Sequence, residues 1–169
     1  MKFAYADPPY PGMGRLYKEK TEVDHGYLID RLMVDYKDGW ALSTASTTLA
    51  QVLAMCRPEV RIMAWVKPFA VFKPNVNPAY AWEPVIVWGG RRRTRQQPTV
   101  RDWFSQNITL RKGLVGAKPL LFCHWILDVL NYEVGDTLDD LYPGTDIMSI
   151  ALGQRRMLMI SEQANLLER

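Results

Sequence analysis

Asp7-Pro8-Pro9-Tyr10 places a carboxylate, two imino acids and a phenol directly behind a short apolar run, residues 2–6. Proline fixes φ, lacks a backbone donor and pushes the preceding residue out of the helical region, so this segment must be a stiff extended turn. It offers acceptors: the Asp7 carboxylate and carbonyls that no neighbouring proline N–H can claim. Such an array suits an NH2 group. Two acceptors can hold both hydrogens of an exocyclic amine on a nucleobase and favour a tetrahedral nitrogen whose lone pair points at an electrophile. Tyr10 can stack on the base plane and offset part of the cost of unstacking it. The same residues also fit a plain strand-terminal turn in which Asp7 accepts a backbone N–H.

A second stretch, residues 135–145 (GDTLDDLYPGT), reads as turn, strand, acidic strand end and a Gly-containing turn into a helix. Backbone N–H groups at such a helix start can meet an anionic or polar ligand group. Between residues 89 and 118 lie eight basic residues and one acid, Asp102, a local charge of +7 in a chain whose formal total is +3. Any polyanion is drawn to this segment, where Arg91, Arg92, Arg93, Arg95, Arg111 and Lys112 could neutralise phosphates. Arg, Gln or Asn107 side chains could read base edges, and a solvated loop is the alternative reading. Cys56 and Cys123 lack metal spacing and read as reduced, packed thiols. His25 falls at a helix start and His124 on a helix as a packing or capping residue, so no metal site is expected. The eight Met residues read as core filler.

The elements that must position these residues alternate in type. Strands are predicted over 2–6, 39–44, 61–66, 84–88, 137–141 and 156–160, and helices over 24–36, 47–56, 119–132 and 146–152, the first capped by Asp24. Pro68, Pro74 and Pro78 make a loop between two of the strands. Apolar-run strands joined by helical crossovers mean a doubly wound α/β domain with a mostly parallel sheet covered on both faces. Ligands in such sheets bind beyond the carboxyl ends of strands, where both chemical stretches fall. The 169 residues, 48% apolar and 23% charged, fit one soluble domain. No apolar run approaches a bilayer span and the start lacks a signal-peptide layout, so the expected location is the cytoplasm.

Residues 6–11 (ADPPYP), 64–68 (AWVKP), 83–88 (EPVIVW), 117–119 (AKP), 135–145 and 152–160 (LGQRRMLMI) run in one order over almost the whole chain. In them the chain resembles the DNA amino-methyltransferases that modify adenine N6 or cytosine N4 with S-adenosylmethionine. The amine motif comes first and the cofactor motifs last, as in the circularly permuted class, here a minimal Rossmann-like methyltransferase fold. The resemblance implies that Asp7, Pro8, Pro9 and Tyr10 hold the flipped base. It implies further that Asp7, Lys118, Pro119, Asp140, Tyr142, Pro143, Gly144 and Thr145 surround the cofactor. The family's ribose-binding acid falls at Ser161, with Glu162 one position on, after the strand predicted at 156–160. Asp146 stands where a second glycine is usual, and the strand that often precedes the Asp7 strand is expected to be missing. A weak cofactor site, or one completed by a second subunit, is the corresponding expectation.

Glu83, Trp65 and Lys67 also match family positions, with a Glu paired to a nearby Arg, a core Trp and a solvated Lys as their structural readings. Residues 89–117 lie where the family carries its target-recognition insertion, making the chain one methyltransferase domain, 1–169, with a short basic insert. The activity implied is in-line transfer of the cofactor methyl to adenine N6 in DNA, without a metal. The alternatives are cytosine N4, adenine in RNA, or a methyltransferase-like nucleic-acid-binding protein or partner subunit that lacks activity. So short an insert reads a duplex poorly alone, which a homodimer or a short or single-stranded target would relieve.

Overall fold

The computed structural model describes residues 1–16, 21–69, 75–108 and 117–167. Among these residues six strands form one sheet: β1 (Lys2–Ala6), β2 (Gly39–Ser43), β3 (Arg61–Val66), β4 (Trp82–Gly89), β5 (Trp103–Ser105) and β6 (Thr137–Asp140). Their order across the sheet is β5-β3-β4-β2-β1-β6, with β4 alone running against the others. Among the described residues four α-helices accompany them, α1 (His25–Asp35), α2 (Leu49–Leu53), α3 (Leu120–Leu130) and α4 (Ile147–Leu167), with a single 3-10 turn at Gly14–Leu16. The fold is therefore α/β with a mostly parallel sheet.

Alternation along the strands sorts side chains to two faces. On β1, Phe3 and Tyr5 point into the core under α3 and α4, while Ala4 and Ala6 join the core under α1 and α2. Trp40 and Leu42 on β2 share the second core, and Met63, Trp65, Val85 and Val87 share the first. The α1 helix starts where expected, with the Asp24 carboxylate accepting from the Tyr27 N–H at 2.9 Å, and buries Leu28, Ile29 and Leu32 at helical spacing. The α3 helix is apolar nearly all round and ends on Asn131, whose φ of 52° is the left-handed cap that Asn tolerates.

Two expectations fail. Residues 156–160 are not a strand: α4 runs through them, because Leu, Gln, Arg and Met are strong helix formers and no Pro interrupts the run. The α2 helix covers Leu49–Leu53 only, about half the predicted span. The β3–β4 connection contains no crossover helix among the described residues, and without one β4 returns antiparallel to both its neighbours. The basic segment also contributes an unforeseen strand, β5, pairing parallel with β3. Among the described residues no helix is long and apolar enough to cross a membrane.

Candidate active site

Two neighbouring parallel strands end side by side. Tyr5 of β1 lies opposite Asp140 of β6, and the Leu141 N–H donates to the Tyr5 carbonyl at 2.9 Å. The chain therefore delivers Asp7-Pro8-Pro9-Tyr10 and Leu141-Tyr142-Pro143-Gly144-Thr145 to one edge of the sheet, between α1 on one face and α3 on the other. Pro8 is buried, and a turn closed by the Met13 N–H on the Tyr10 carbonyl (2.8 Å) follows it.

Lys118 enters this edge from the start of α3, where Pro119 at φ −71° occupies the cap position. Its ammonium is almost fully buried and lies 2.8 Å from Asp7 Oδ1, 3.1 Å from the Tyr10 hydroxyl and 3.4 Å from Glu83 Oε2. The Tyr10 hydroxyl donates to Glu83 Oε2 at 2.9 Å and reaches Asp7 Oδ1 at 3.4 Å. Lys67, at the end of β3, completes the chain by donating to Glu83 Oε1 at 2.6 Å. Two carboxylates and two ammonium groups thus alternate around one phenol, and the cluster is close to electroneutral.

The electrostatics follow from burial and these neighbours. Burial raises the Asp7 pKa above the ordinary carboxylate value, with Glu83 adding to the rise and Lys118 and Tyr10 opposing it. Burial would also raise Glu83, but Lys118 and Lys67 outweigh it and hold that carboxyl below its usual range. For Lys118 burial alone would favour the neutral amine; Asp7, Tyr5 and Glu83 reverse this and keep it protonated. Asp140 is pushed up to about 6, by burial first and then by the charges of Asp7 and Asp146, against the Tyr142 N–H that its carboxylate accepts.

In the turn after β6, Gly144 has φ 49° and Asp146 φ 56°. Asp is among the few side chains that tolerate this left-handed region, which explains how it stands at a position suited to glycine. A Cβ at Gly144 would make only an ordinary contact, with the Tyr142 carbonyl at 3.8 Å, so the backbone there is not crowded. Tyr142 packs its ring against the core under α1.

The structure thus brings Asp7, Pro8, Pro9, Tyr10, Lys118 and Pro119 together with Asp140, Tyr142, Pro143, Gly144 and Thr145. Ser161 does not stand at a strand end: it lies within α4 and donates its hydroxyl back to the Leu158 carbonyl at 2.7 Å, and Glu162 follows in the same helix. The partners of Glu83 are two lysines rather than an arginine, and Lys67 is held by it rather than solvated; Trp65 is a core residue, as read. These links join positions 16 to 111 residues apart, which no local pattern reveals.

The basic residues divide into two sets. Arg91 binds both oxygens of the buried Asp136 carboxylate at 2.6 and 2.8 Å, and Arg93 donates to the Pro98 and Asp128 carbonyls, so both tie the loop to the fold. Arg92 and Arg95 are exposed, and Arg111 and Lys112 lie outside the described residues. His124 packs across to α4, its Nε2 2.9 Å from Gln154 Oε1.

Among known proteins, no family model and no curated protein matches this chain. Solved structures do. The fold is similar to that of M1.HpyAVI in complex with SAM, at a TM-score of 0.62 and 12% identity over 92% of this chain and 78% of that one. A second crystal structure of M1.HpyAVI matches at 0.58 and 11% identity, over 91% and 76% of the two chains. At such identities the likeness establishes the fold.

Proposed function

We propose that the chain is an S-adenosylmethionine-dependent methyltransferase acting on the exocyclic amine of a nucleobase, with adenine N6 in DNA as the target. The observation that carries this reading is the convergence of Asp7, Tyr10 and Lys118 beside the Asp140–Asp146 turn, on the ends of adjacent parallel strands. A similar fold, that of M1.HpyAVI, binds SAM.

The residues present fit this cofactor. S-adenosylmethionine carries a sulfonium and an ammonium, and Asp7, Asp140 and Asp146 are close enough to influence one another's charge, giving a cationic group an acidic surround. The uncrowded backbone at Gly144 allows close approach, and Asp140, Tyr142, Pro143, Gly144 and Thr145 would hold it with Lys118 and Pro119 alongside. When bound, the cofactor supplies an electrophilic methyl group.

The chain's own part is positional. Both contacts to the Asp7 carboxylate fall on Oδ1, leaving Oδ2 and the carbonyls of the proline turn to accept the two amine hydrogens. Glu83 and Lys118 fix the Tyr10 hydroxyl, and with it the ring on which the base stacks. Holding the nitrogen at a set angle removes orientational freedom before reaction, the main source of acceleration available without acid–base chemistry. Arg92, Arg95, Arg111 and Lys112 would neutralise backbone phosphates.

The test is incubation with labelled S-adenosylmethionine and several nucleic acids, digestion to nucleosides and identification of the labelled product. Label in N6-methyldeoxyadenosine supports the reading in full; N4-methylcytosine or a ribonucleoside changes the target. Nucleic-acid binding with no cofactor binding and no transfer replaces the enzyme by a binding protein or partner subunit.

A further inference from the structure

At the sheet edge opposite β6, a cleft of about 480 Å³ opens between β5, the 93–101 loop and α3. Its frame is fixed by hydrogen bonds. Arg93 donates to the Pro98 carbonyl at 3.0 Å and to the Asp128 carbonyl, and Trp125 donates its indole N–H to the Arg101 carbonyl at 3.0 Å. Phe104 and Trp125 stack along the inner wall, ring centroids 5.9 Å apart and 21° from parallel. The Asp128 carboxylate is engaged by Arg155 at 2.6 Å, so it does not present an unpaired negative charge to the cleft.

Trp103 borders the same cleft from the strand face opposite Phe104 and is 45% exposed, with the Arg101 guanidinium 5.2 Å from its ring centroid. Opposite it on β3 stands Ala64, and beyond that Pro84 on β4, so nothing bulky flanks the indole in the sheet. A flat aromatic face beside a guanidinium, in a segment that also exposes Arg92 and Arg95, matches a polyanion that carries planar groups. Paired bases in a duplex have their faces covered by one another; unpaired bases do not.

Register ties the cleft to the amine site. Ser105 lies opposite Val66, and the next residue on that strand's course, Lys67, holds Glu83. Trp103 is opposite Ala64, three residue steps before Lys67, which is on the order of 10 Å along the strand. We propose that the rim of this cleft, at Trp103 and Arg101, is a nucleotide subsite, in which an unpaired base of the same nucleic-acid strand as the target stacks. The preferred substrate is then single-stranded or locally unpaired nucleic acid. The inference rests on the function proposed above only for its class of ligand.

The test measures binding by the full chain to labelled oligo(dT), oligo(rU) and a duplex of the same length, without cofactor. Trp103→Ala is expected to weaken single-strand binding on the order of ten-fold while changing duplex binding less than roughly two-fold. Loss on one single strand but not the other marks a preference between the two oligomers and still supports the subsite. Trp103→Phe is expected to keep the affinity but to lose part of the tryptophan quenching that oligo(dT) causes, a readout that survives if the Ala variant does not fold. Unchanged single-strand affinity in Trp103→Ala, or quenching in Trp103→Phe undiminished from that of the wild type, overturns the proposal. Methyl transfer that continues in a variant with unchanged binding would remove the subsite and leave the enzyme; binding that behaves as expected with no transfer in the wild type does the reverse.

Discussion

Lys118→Met removes the ammonium that joins Asp7, Tyr10 and Glu83 while keeping the side chain's length. In the native chain it lies 2.8 Å from Asp7 and 3.4 Å from Glu83, and its side chain is 5% exposed against 21% and 19% for theirs. Breaking a buried pair by deleting one partner costs about 3–5 kcal/mol; both carboxylates retain some water and Glu83 retains Lys67, which places the loss near the lower figure, about 3 kcal/mol. For a domain of this size that corresponds to a fall in melting temperature of roughly 6–12 °C.

The pH dependence supplies the sign. The Asp7 pKa is already above its ordinary value, and losing Lys118 raises it further. A carboxyl raised on folding stabilises fully below its unfolded pKa and loses that contribution as pH rises through the folded one. Glu83, held low by Lys118 and Lys67, contributes stability above its unfolded pKa, and the variant forfeits part of it. Both effects make the gap between wild type and variant widen from acid to neutral pH. Thermal unfolding followed by circular dichroism on either side of that range tests this, with Asp7→Asn added to Lys118→Met recovering part of the loss at neutral pH. Equal melting temperatures at neutral pH, or a gap that pH does not alter, would refute the reasoning.

Asp140, raised to about 6, loses its stabilising contribution as pH rises through that value, so Asp140→Asn should melt higher than wild type at neutral pH and match it in acid. Allowing for its partial contact with water, the gain is about 1–2 kcal/mol, and cofactor affinity measured by calorimetry should fall in the same variant. Asp146→Val should cost about 1–2 kcal/mol by thermal melt, because φ 56° is hostile to a β-branched side chain, whereas Asp146→Gly should not destabilise. Arg91→Ala should lower stability by about 2–3 kcal/mol by uncovering Asp136, which is 5% exposed. Arg92→Ala and Arg95→Ala should instead leave melting unchanged and each reduce the salt dependence of nucleic-acid binding by about one unit of slope.

Sequence patterns revealed most of the strands and helices that build the site, because those elements carry local signals. Asp24 caps α1, Pro119 opens α3, and the alternation of Phe3 and Tyr5 against Ala4 and Ala6 marks a strand buried on both faces. The direction of β4 carries no such signal, since its residues pack on two faces whichever way it runs. The three residues of β5 are too few to show a period, and their pairing is decided by the β3 edge they meet. At residues 152–160, apolar residues next to arginines matched a family pattern for a strand, while their intrinsic propensity favoured the helix that formed. Asp7, Tyr10 and Lys118 were legible as candidates from their motifs. That Lys118 bonds directly to Asp7, and that Glu83 and Lys67 extend the chain, depended on tertiary placement of four separate strand and helix ends.

The most direct measurement is methyl transfer by Asp7→Ala beside the wild type, with S-adenosylmethionine binding determined for both by calorimetry. The account predicts that the wild type labels a nucleobase amine and that Asp7→Ala binds the cofactor but transfers nothing. Transfer at the wild-type rate by Asp7→Ala would contradict it.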